Sequence, residues 1–365
     1  MKELPTEYGP LTAELAARAA KRRQPINGTF ELTSRCNLSC RMCYVRRPAA
    51  DATARARELT AADWLEIGRQ ARDRGMVFLL LTGGEVLLRR DFFEIYEPLT
   101  RMGFVLTVFT NGTLITEEFT ERLAQTPPSR IEITLYGATA ATYEAITGVP
   151  GGFAACCRAI GDLVSRRVPL GLKTTISRYN IHELEDMRKM AEDWGLPFSG
   201  AWLLTKRPDG HASDVENCRL PAAQCVALES SDRASATEMS EAALRTAASE
   251  TGHNFYCVAG KSAFVITPAG EMNLCLHLPE PRAKPLEIGF QAAWTRVGRF
   301  LDSAPPLSQE CRSCDARAFC GRCPGWSHME TGTLTKPVPY WCEIARARQQ
   351  RYSRQPRRPQ MEARP

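Results

Sequence analysis

The sequence contains no apolar run of about 18 residues, so no transmembrane helix is expected. Its first residues, "MKELPTEYGPLTAELAARAAKRRQP", lack the apolar segment of a secretory signal. The expected location is a reducing cytoplasm, where disulfides are rare. Histidine is scarce: five occur, and none lies near the cysteine-rich stretch described below. No basic groove interleaved with aromatics is present, so neither nucleic acid nor membrane is an expected partner. The net charge is a mild +6, and part of it comes from the last residues, "RARQQRYSRQPRRPQMEARP". That basic tail, 346–365, reads as a solvated, disordered end.

Against these absences stand 14 cysteines among 365 residues. In a reducing compartment, clustered cysteines read as metal or Fe–S ligands rather than as staples. Hydrophobic residues make up 44% of the chain, enough for a large core and more than one domain.

Short β-branched apolar runs alternate with amphipathic helical patterns. The runs are "TFELTS" (29–34), "MVFLLLT" (76–82), "FVLTVFT" (104–110), "RIEITLY" (130–136), "PLGLKTTIS" (169–177) and "PFSGAWLL" (197–204). Such runs suit strands buried on both faces of a parallel sheet. Six strand-then-helix units predict an α/β fold, either an open doubly wound sheet or a partial (β/α)6 barrel. Chemistry then gathers at the C-terminal ends of the strands. After about residue 205 the character changes. Residues 219–250 read as one or two surface helices, "SAFVITPAGEMNLCL" as a β-hairpin, and 290–303 as a short amphipathic helix. Residues 305–342 are dense in cysteine and poor in regular patterns, so clusters would have to stabilise them.

The first strand delivers "RCNLSCRMCY", which places Cys36, Cys40 and Cys43 within eight residues. Three thiolates on one loop can hold three irons of a 4Fe–4S cluster and leave the fourth iron open. Zinc fits less well, because structural zinc sites pair a CxxC with a second CxxC or a histidine pair. The second strand delivers Gly83, Gly84 and Glu85. A double glycine lets a ligand approach the backbone, and its carbonyls can accept from an ammonium group. The third strand delivers "TNGT" with Asn111.

CxxxCxxC followed by Tyr44, together with Gly83-Gly84-Glu85, resembles the radical S-adenosylmethionine superfamily over roughly residues 27–205. The resemblance implies a partial barrel in which Cys36, Cys40 and Cys43 hold a 4Fe–4S cluster. The amino and carboxylate groups of S-adenosylmethionine would chelate the open iron, and the Gly83–Glu85 motif would receive the amino group. Val86 stands where the family often has proline. The resemblance also puts Asn111 and Thr134 near the cofactor. It makes Lys173, Ser177 and Arg178 candidates for the cofactor carboxylate or for substrate. No catalytic side chain is assigned.

Downstream, the cysteines run C-x12-G-x4-C from Cys257 to Cys275, then Cys311, Cys314, Cys320 and Cys323 as C-x2-C-x5-C-x2-C, then Cys342. Seven cysteines exceed one four-ligand site and fit two clusters. The order resembles the SPASM domain of peptide-modifying members of the superfamily. That resemblance assigns Cys257, Cys275 and Cys323 to one auxiliary cluster, and Cys311, Cys314, Cys320 and Cys342 to the other. Three 4Fe–4S clusters are therefore expected. The first auxiliary cluster is one ligand short, with Cys218 or Cys225 as a fourth ligand or an open iron as the alternatives. Cys156 and Cys157 read as structural helix residues.

The expected organisation is an N-terminal extension (1–26), a radical enzyme barrel (27–205), a helical linker (206–250), a SPASM-like domain (251–345) and the tail (346–365). The implied activity is reductive cleavage of S-adenosylmethionine to a 5′-deoxyadenosyl radical that abstracts a substrate hydrogen. A ribosomally made precursor peptide, cross-linked or oxidised, is the leading substrate. A small-molecule or tetrapyrrole-precursor oxidoreductase or decarboxylase is the alternative. About 26 residues precede the first strand, too few for a leader-binding winged helix, so either a separate leader-binding protein or direct binding of the leader is expected. A flavodoxin or ferredoxin is the expected electron donor.

Overall fold

A computed structural model describes residues 8–211, 213–231, 255 and 257–353. The strands are β1 (Asn27–Thr33), β2 (Arg35–Cys36), β3 (Arg47–Pro48), β4 (Phe78–Gly83), β5 (Val105–Thr110), β6 (Arg130–Thr134), β7 (Leu170–Thr175), β8 (Phe198–Ala201), β9 (Ala263–Ile266) and β10 (Met272–Asn273). The helices that alternate with them are α1 (Tyr8–Arg22), α2 (Ala52–Ala56), α3 (Ala61–Asp73), α4 (Phe92–Arg101), α5 (Glu117–Gln125), α6 (Ala140–Thr147), α7 (Gly152–Ser165) and α8 (Leu184–Asp193).

Eight strands form one open sheet in the order β10-β9-β1-β4-β5-β6-β7-β8, and β2 and β3 form a separate ribbon. The six strands read from the sequence pair in parallel and in chain order, β1 to β8, as a partial barrel requires. The sheet does not close on itself: β8 and β10 are its two ends. Several of the helices start at a side-chain cap. Thr60 and Asp63 form a reciprocal capping box at α3, and Thr116 and Thr139 cap α5 and α6.

Register separates the two faces of the sheet. Phe30 pairs with Leu81, Leu81 with Val108, and Val108 with Ile131. All four are buried, and Phe30 lies 5.0 Å from the Trp64 ring of α3. This face packs under the helices, and each such buried side chain contributes about 1.5–3 kcal/mol. Side chains alternate along a strand, so the following residues turn to the opposite, inner face. Glu31 pairs there with Thr82, Phe109 with Glu132, and Thr134 with Lys173. The outer face is hydrocarbon and the inner face is polar, which leaves the inner face for chemistry.

The described residues divide into two compact units, one within 1–219 and 256–304, the other within 220–255 and 305–365. These limits differ from the boundaries expected at 206 and 251. The expected hairpin forms, but its first strand β9 pairs in parallel with β1 and so continues the main sheet. The free edge of β1 offers unpaired backbone groups, and β9 satisfies them. Residues 346–352 of the expected disordered tail are helical, and 354–365 lie outside the described residues. A helix runs Pro339–Tyr352, and Arg348 is buried within the second unit, paired with Glu229. The cysteine-dense stretch is more regular than its pattern announced, with helices at Gln309–Arg312 and Pro324–Thr331. Part of the expected linker forms helices Val215–Cys218 and Ala222–Ser231, and residues 232–254 lie outside the described residues. The expected helix at 290–303 is Phe290–Asp302. Among the described residues, no helix is long and apolar enough to cross a membrane.

Candidate functional site

The cysteine loop leaves the C-terminal end of β1 and returns beside itself. Arg35 and Cys36 pair in parallel with Arg47 and Pro48, which closes the loop at its base. The base is pinned by a buried ionic network. Arg35 Nε donates to Glu58 at 2.7 Å, and Arg89 Nη1 lies 3.8 Å from the same carboxylate. Arg89 also donates to the Leu32 and Leu59 carbonyls at 3.1 and 2.9 Å. Farther along, Ser39 N donates to the Thr147 carbonyl at 2.7 Å, which ties the loop to the end of α6. Leu38, Cys40 and Met42 pack in one apolar cluster with Ile146, Leu204, Val215 and Cys218.

Donors surround the three sulfurs. Leu38 N donates to Cys36 Sγ at 3.4 Å, and Asn111 Nδ2 lies 3.8 Å from it. The Tyr136 hydroxyl faces Cys40, and the backbone N–H groups of Val45 and Arg46 face Cys43. The Arg46 and Arg207 guanidiniums also act on Cys43. Burial pushes the Cys36 thiol up to about 12 and raises Cys40 and Cys43 as well. Free, reactive thiolates are therefore not what this loop makes, and deprotonation falls to an iron ligand. N–H donors aimed at thiolate sulfur fit an Fe–S ligand set. Among the described residues no three His, Cys, Asp or Glu side chains converge on one ion-sized point. A cubane places each thiolate on a separate iron and needs no such convergence.

Gly83 and Gly84 run directly against the loop base. Gly83 has φ +148°, and a Cβ there would meet the Thr33 carbonyl at 2.2 Å. A Cβ on Gly84 would meet the Arg35 carbonyl at 2.2 Å. Gly84 N and Glu85 N donate to the Thr33 and Arg35 carbonyls at 2.7 and 2.8 Å. Val86 is buried and opens a 3-10 turn, Val86–Leu88. The Glu85 carboxylate is fully buried and accepts from Thr110 Oγ1 at 2.7 Å, Asn111 N at 2.7 Å and Leu87 N at 3.0 Å. Burial raises its pKa, and those three donors act against the rise.

Asn111 is brought to the same place. Its Nδ2 donates to Asn37 Oδ1 at 2.9 Å, and its Oδ1 accepts from Thr113 N and Oγ1 at 2.9 and 2.7 Å. Thr134 and Lys173 sit side by side on the inner face. Lys173 Nζ lies over the Phe109 ring, 2.8 Å from its centroid. Burial lowers the amine to about 7, against the pull of Glu132. Ser177 and Arg178 follow the end of β7. Ser177 is fully buried, and its N–H and hydroxyl both donate to Asn180 Oδ1 in a tight turn, at 2.8 and 3.1 Å. Arg178 is exposed, with its backbone N–H on the Cys218 carbonyl.

Of the later cysteines, Cys311, Cys314, Cys320 and Cys342 are gathered in the second unit. Cys320 responds electrostatically to Cys311 and Cys342, and Cys342 to Cys311 and Cys314. Burial pushes Cys320 up to about 11. Cys323 precedes helix Pro324–Thr331 in the same unit. Cys275 lies near Tyr44 in the first unit, and Cys257 is exposed there. Cys218 packs beside the loop of Cys36 to Cys43, whereas Cys225 is buried with its sulfur 3.4 Å from the Tyr340 hydroxyl. Cys156 is buried in α7 beside Tyr143, a structural position. Sequence reading missed Glu31, Asn37, Tyr136, Arg207 and His277. Glu31, a charge inside the run "TFELTS", gave the one available signal.

Residues 30–191 match the family model described as the radical SAM superfamily. The chain is 27% identical over 335 residues to an AdoMet-dependent heme synthase of Methanosarcina barkeri, covering 85% of this chain and 94% of the relative. It is 27% identical over 323 residues to the mycofactocin maturase MftC of Mycobacterium ulcerans, covering 85% and 83%. Its fold is similar to that of Streptococcus suis SuiB bound to the precursor peptide SuiA. The TM-score is 0.70 at 16% identity, over 93% of this chain and 82% of that one.

Proposed function

Since the chain belongs to the radical SAM superfamily, whose members carry a 4Fe–4S cluster and use S-adenosylmethionine, we propose that it is a maturase acting on a ribosomally made peptide. The observation that carries this is the likeness to a mycofactocin maturase over most of both chains. In this reading Cys36, Cys40 and Cys43 hold the cluster, and Gly83 and Gly84 present backbone carbonyls to the cofactor amine. Glu85 acts behind them by fixing Thr110 and Asn111. When bound, the cluster and S-adenosylmethionine supply one-electron cleavage to a 5′-deoxyadenosyl radical.

The chain's own work is positioning. The Asn37–Asn111–Thr113 bonds lock the cysteine loop to the end of β5. The apolar cluster around Cys40 keeps water from the sulfurs. Thr134 and Lys173 line the inner face, where a hydroxyl and an amine can meet ribose or carboxylate. Auxiliary clusters on Cys257, Cys275 and Cys323, and on Cys311, Cys314, Cys320 and Cys342, belong to the same reading. So do a separate leader-binding protein and a flavodoxin or ferredoxin donor.

The heme synthase relative matches over a larger share of its own length, and this favours tetrapyrrole-precursor oxidation as the second reading. One experiment separates the two. Anaerobically reconstituted protein with dithionite and S-adenosylmethionine should release 5′-deoxyadenosine, and Cys40→Ala should abolish that release. Adding a precursor peptide encoded beside the gene should give a product short of two hydrogens by mass spectrometry. Turnover of a tetrapyrrole precursor with the peptide untouched would replace the first reading by the second.

A further inference from the structure

The inner face carries a carboxylate that nothing above uses. Glu31 lies between Phe30 and Leu32, both fully buried on the helix side, so its side chain turns inward. The residue is 7% exposed, and among the described residues its Oε1 has no hydrogen-bond partner. Buried carboxylates are ordinarily paired, because an uncompensated one is costly. Glu31 is thus held for a group that the described residues do not provide.

Its surroundings say what kind of group. Tyr44, the residue after Cys43, lies within the field of Glu31 and of Cys275. The Tyr44 ring sits 5.8 Å from the His277 ring, tilted by 44°. Burial alone pushes the Glu31 carboxyl up to about 7.

We propose that Glu31, walled by Tyr44, anchors a cationic group of the substrate, an ammonium or a guanidinium. The inference rests on the peptide reading and deepens it: the group would be a lysine or arginine side chain, or a free amine, of the modified peptide. An arriving cation gives Oε1 a charge-assisted hydrogen bond and brings an aromatic ring within reach of its charge. Burial favours the neutral acid in the empty site, and an arriving cation favours its ionised form.

S-adenosylmethionine is itself a cation, so the test must separate it from substrate. Anaerobic holoenzyme is titrated calorimetrically with n-butylguanidinium, n-butylammonium, n-butanol as neutral control, and S-adenosylmethionine. The expected result is binding of at least one cation and not of butanol, weakened about tenfold or more in Glu31→Gln. Affinity for S-adenosylmethionine should hold in that variant. Thermal unfolding checks that the variant folds. If it does not, Glu31→Asp, which withdraws the carboxylate by one methylene, should weaken the cation as well. Equal cation binding by parent and variant overturns the proposal, as does no cation binding at all. Loss confined to S-adenosylmethionine also overturns it, because the carboxylate then serves the cofactor. None of these arms uses a peptide, so failure here is distinct from failure of the maturase reading.

Discussion

Asn111 joins two segments that are remote in sequence. Its amide holds Asn37 in the cysteine loop, and its carbonyl closes the turn at Thr113. The turn role was legible from "TNG", but the contact with Asn37 was not, because nothing local marks a partner 74 positions away. Lys173 was legible as an inward or outward residue of a strand, and register decided it. Its burial costs charge, and this makes a pH-dependent prediction. The folded pKa, about 7, lies below the ordinary 10.5, so the unfolded chain holds more protons between those values. Stability therefore rises with pH across that window, and the penalty is fully present below about 7. Each unit of depression is worth about 1.4 kcal/mol, while the Phe109 ring face and Glu132 favour the charged form and act against it. Lys173→Met should unfold at a higher temperature than the parent at pH 6. The gap should narrow as pH rises from 7 towards 10, and a constant gap would remove the buried-amine assignment.

At the scale of elements, the double glycine teaches most. Its presence at the end of β4 was readable as room for a ligand. The atoms that forbid a side chain are instead the chain's own, the Thr33 and Arg35 carbonyls. β4 presses on the base of the cysteine loop, so the glycines set where Cys36 stands. Gly84→Ala should therefore disturb the loop as well as any cofactor contact. Overpacking of this kind costs about 1–3 kcal/mol. The expected outcome is a lower thermal midpoint together with less iron bound at the Cys36 loop. Normal iron content, with only S-adenosylmethionine binding impaired, would return the glycines to a purely ligand-facing role. The six parallel strands were legible because doubly buried strands write continuous apolar runs. The pairing of β9 with β1 was not, since edge pairing between segments more than two hundred residues apart leaves no local trace. The helices of 305–342 were hidden for another reason: too few residues per turn face a core for a 3.6-residue period to show.

At the scale of the whole molecule, the cysteines distribute over two units. Cys36, Cys40, Cys43, Cys257 and Cys275 fall in the first unit, and Cys311, Cys314, Cys320, Cys323 and Cys342 in the second. Within the second unit, the fields of Cys311, Cys314, Cys320 and Cys342 overlap, as four ligands of one cluster would require. Helix Pro339–Tyr352 carries Cys342 and is anchored by the buried Arg348–Glu229 pair, so loss of one thiol should leave the unit folded. Full reconstitution should give about twelve irons per chain, four for each of three clusters. Cys342→Ala should lower this to about eight and keep release of 5′-deoxyadenosine. Cys40→Ala should also lose about four irons, but with release abolished. A parent value near four irons would sink both auxiliary clusters. Full iron in Cys342→Ala would remove that cysteine from the ligand set. If Cys342→Ala keeps cofactor cleavage but no longer modifies the peptide, its cluster serves the step after hydrogen abstraction, when an electron must leave the substrate.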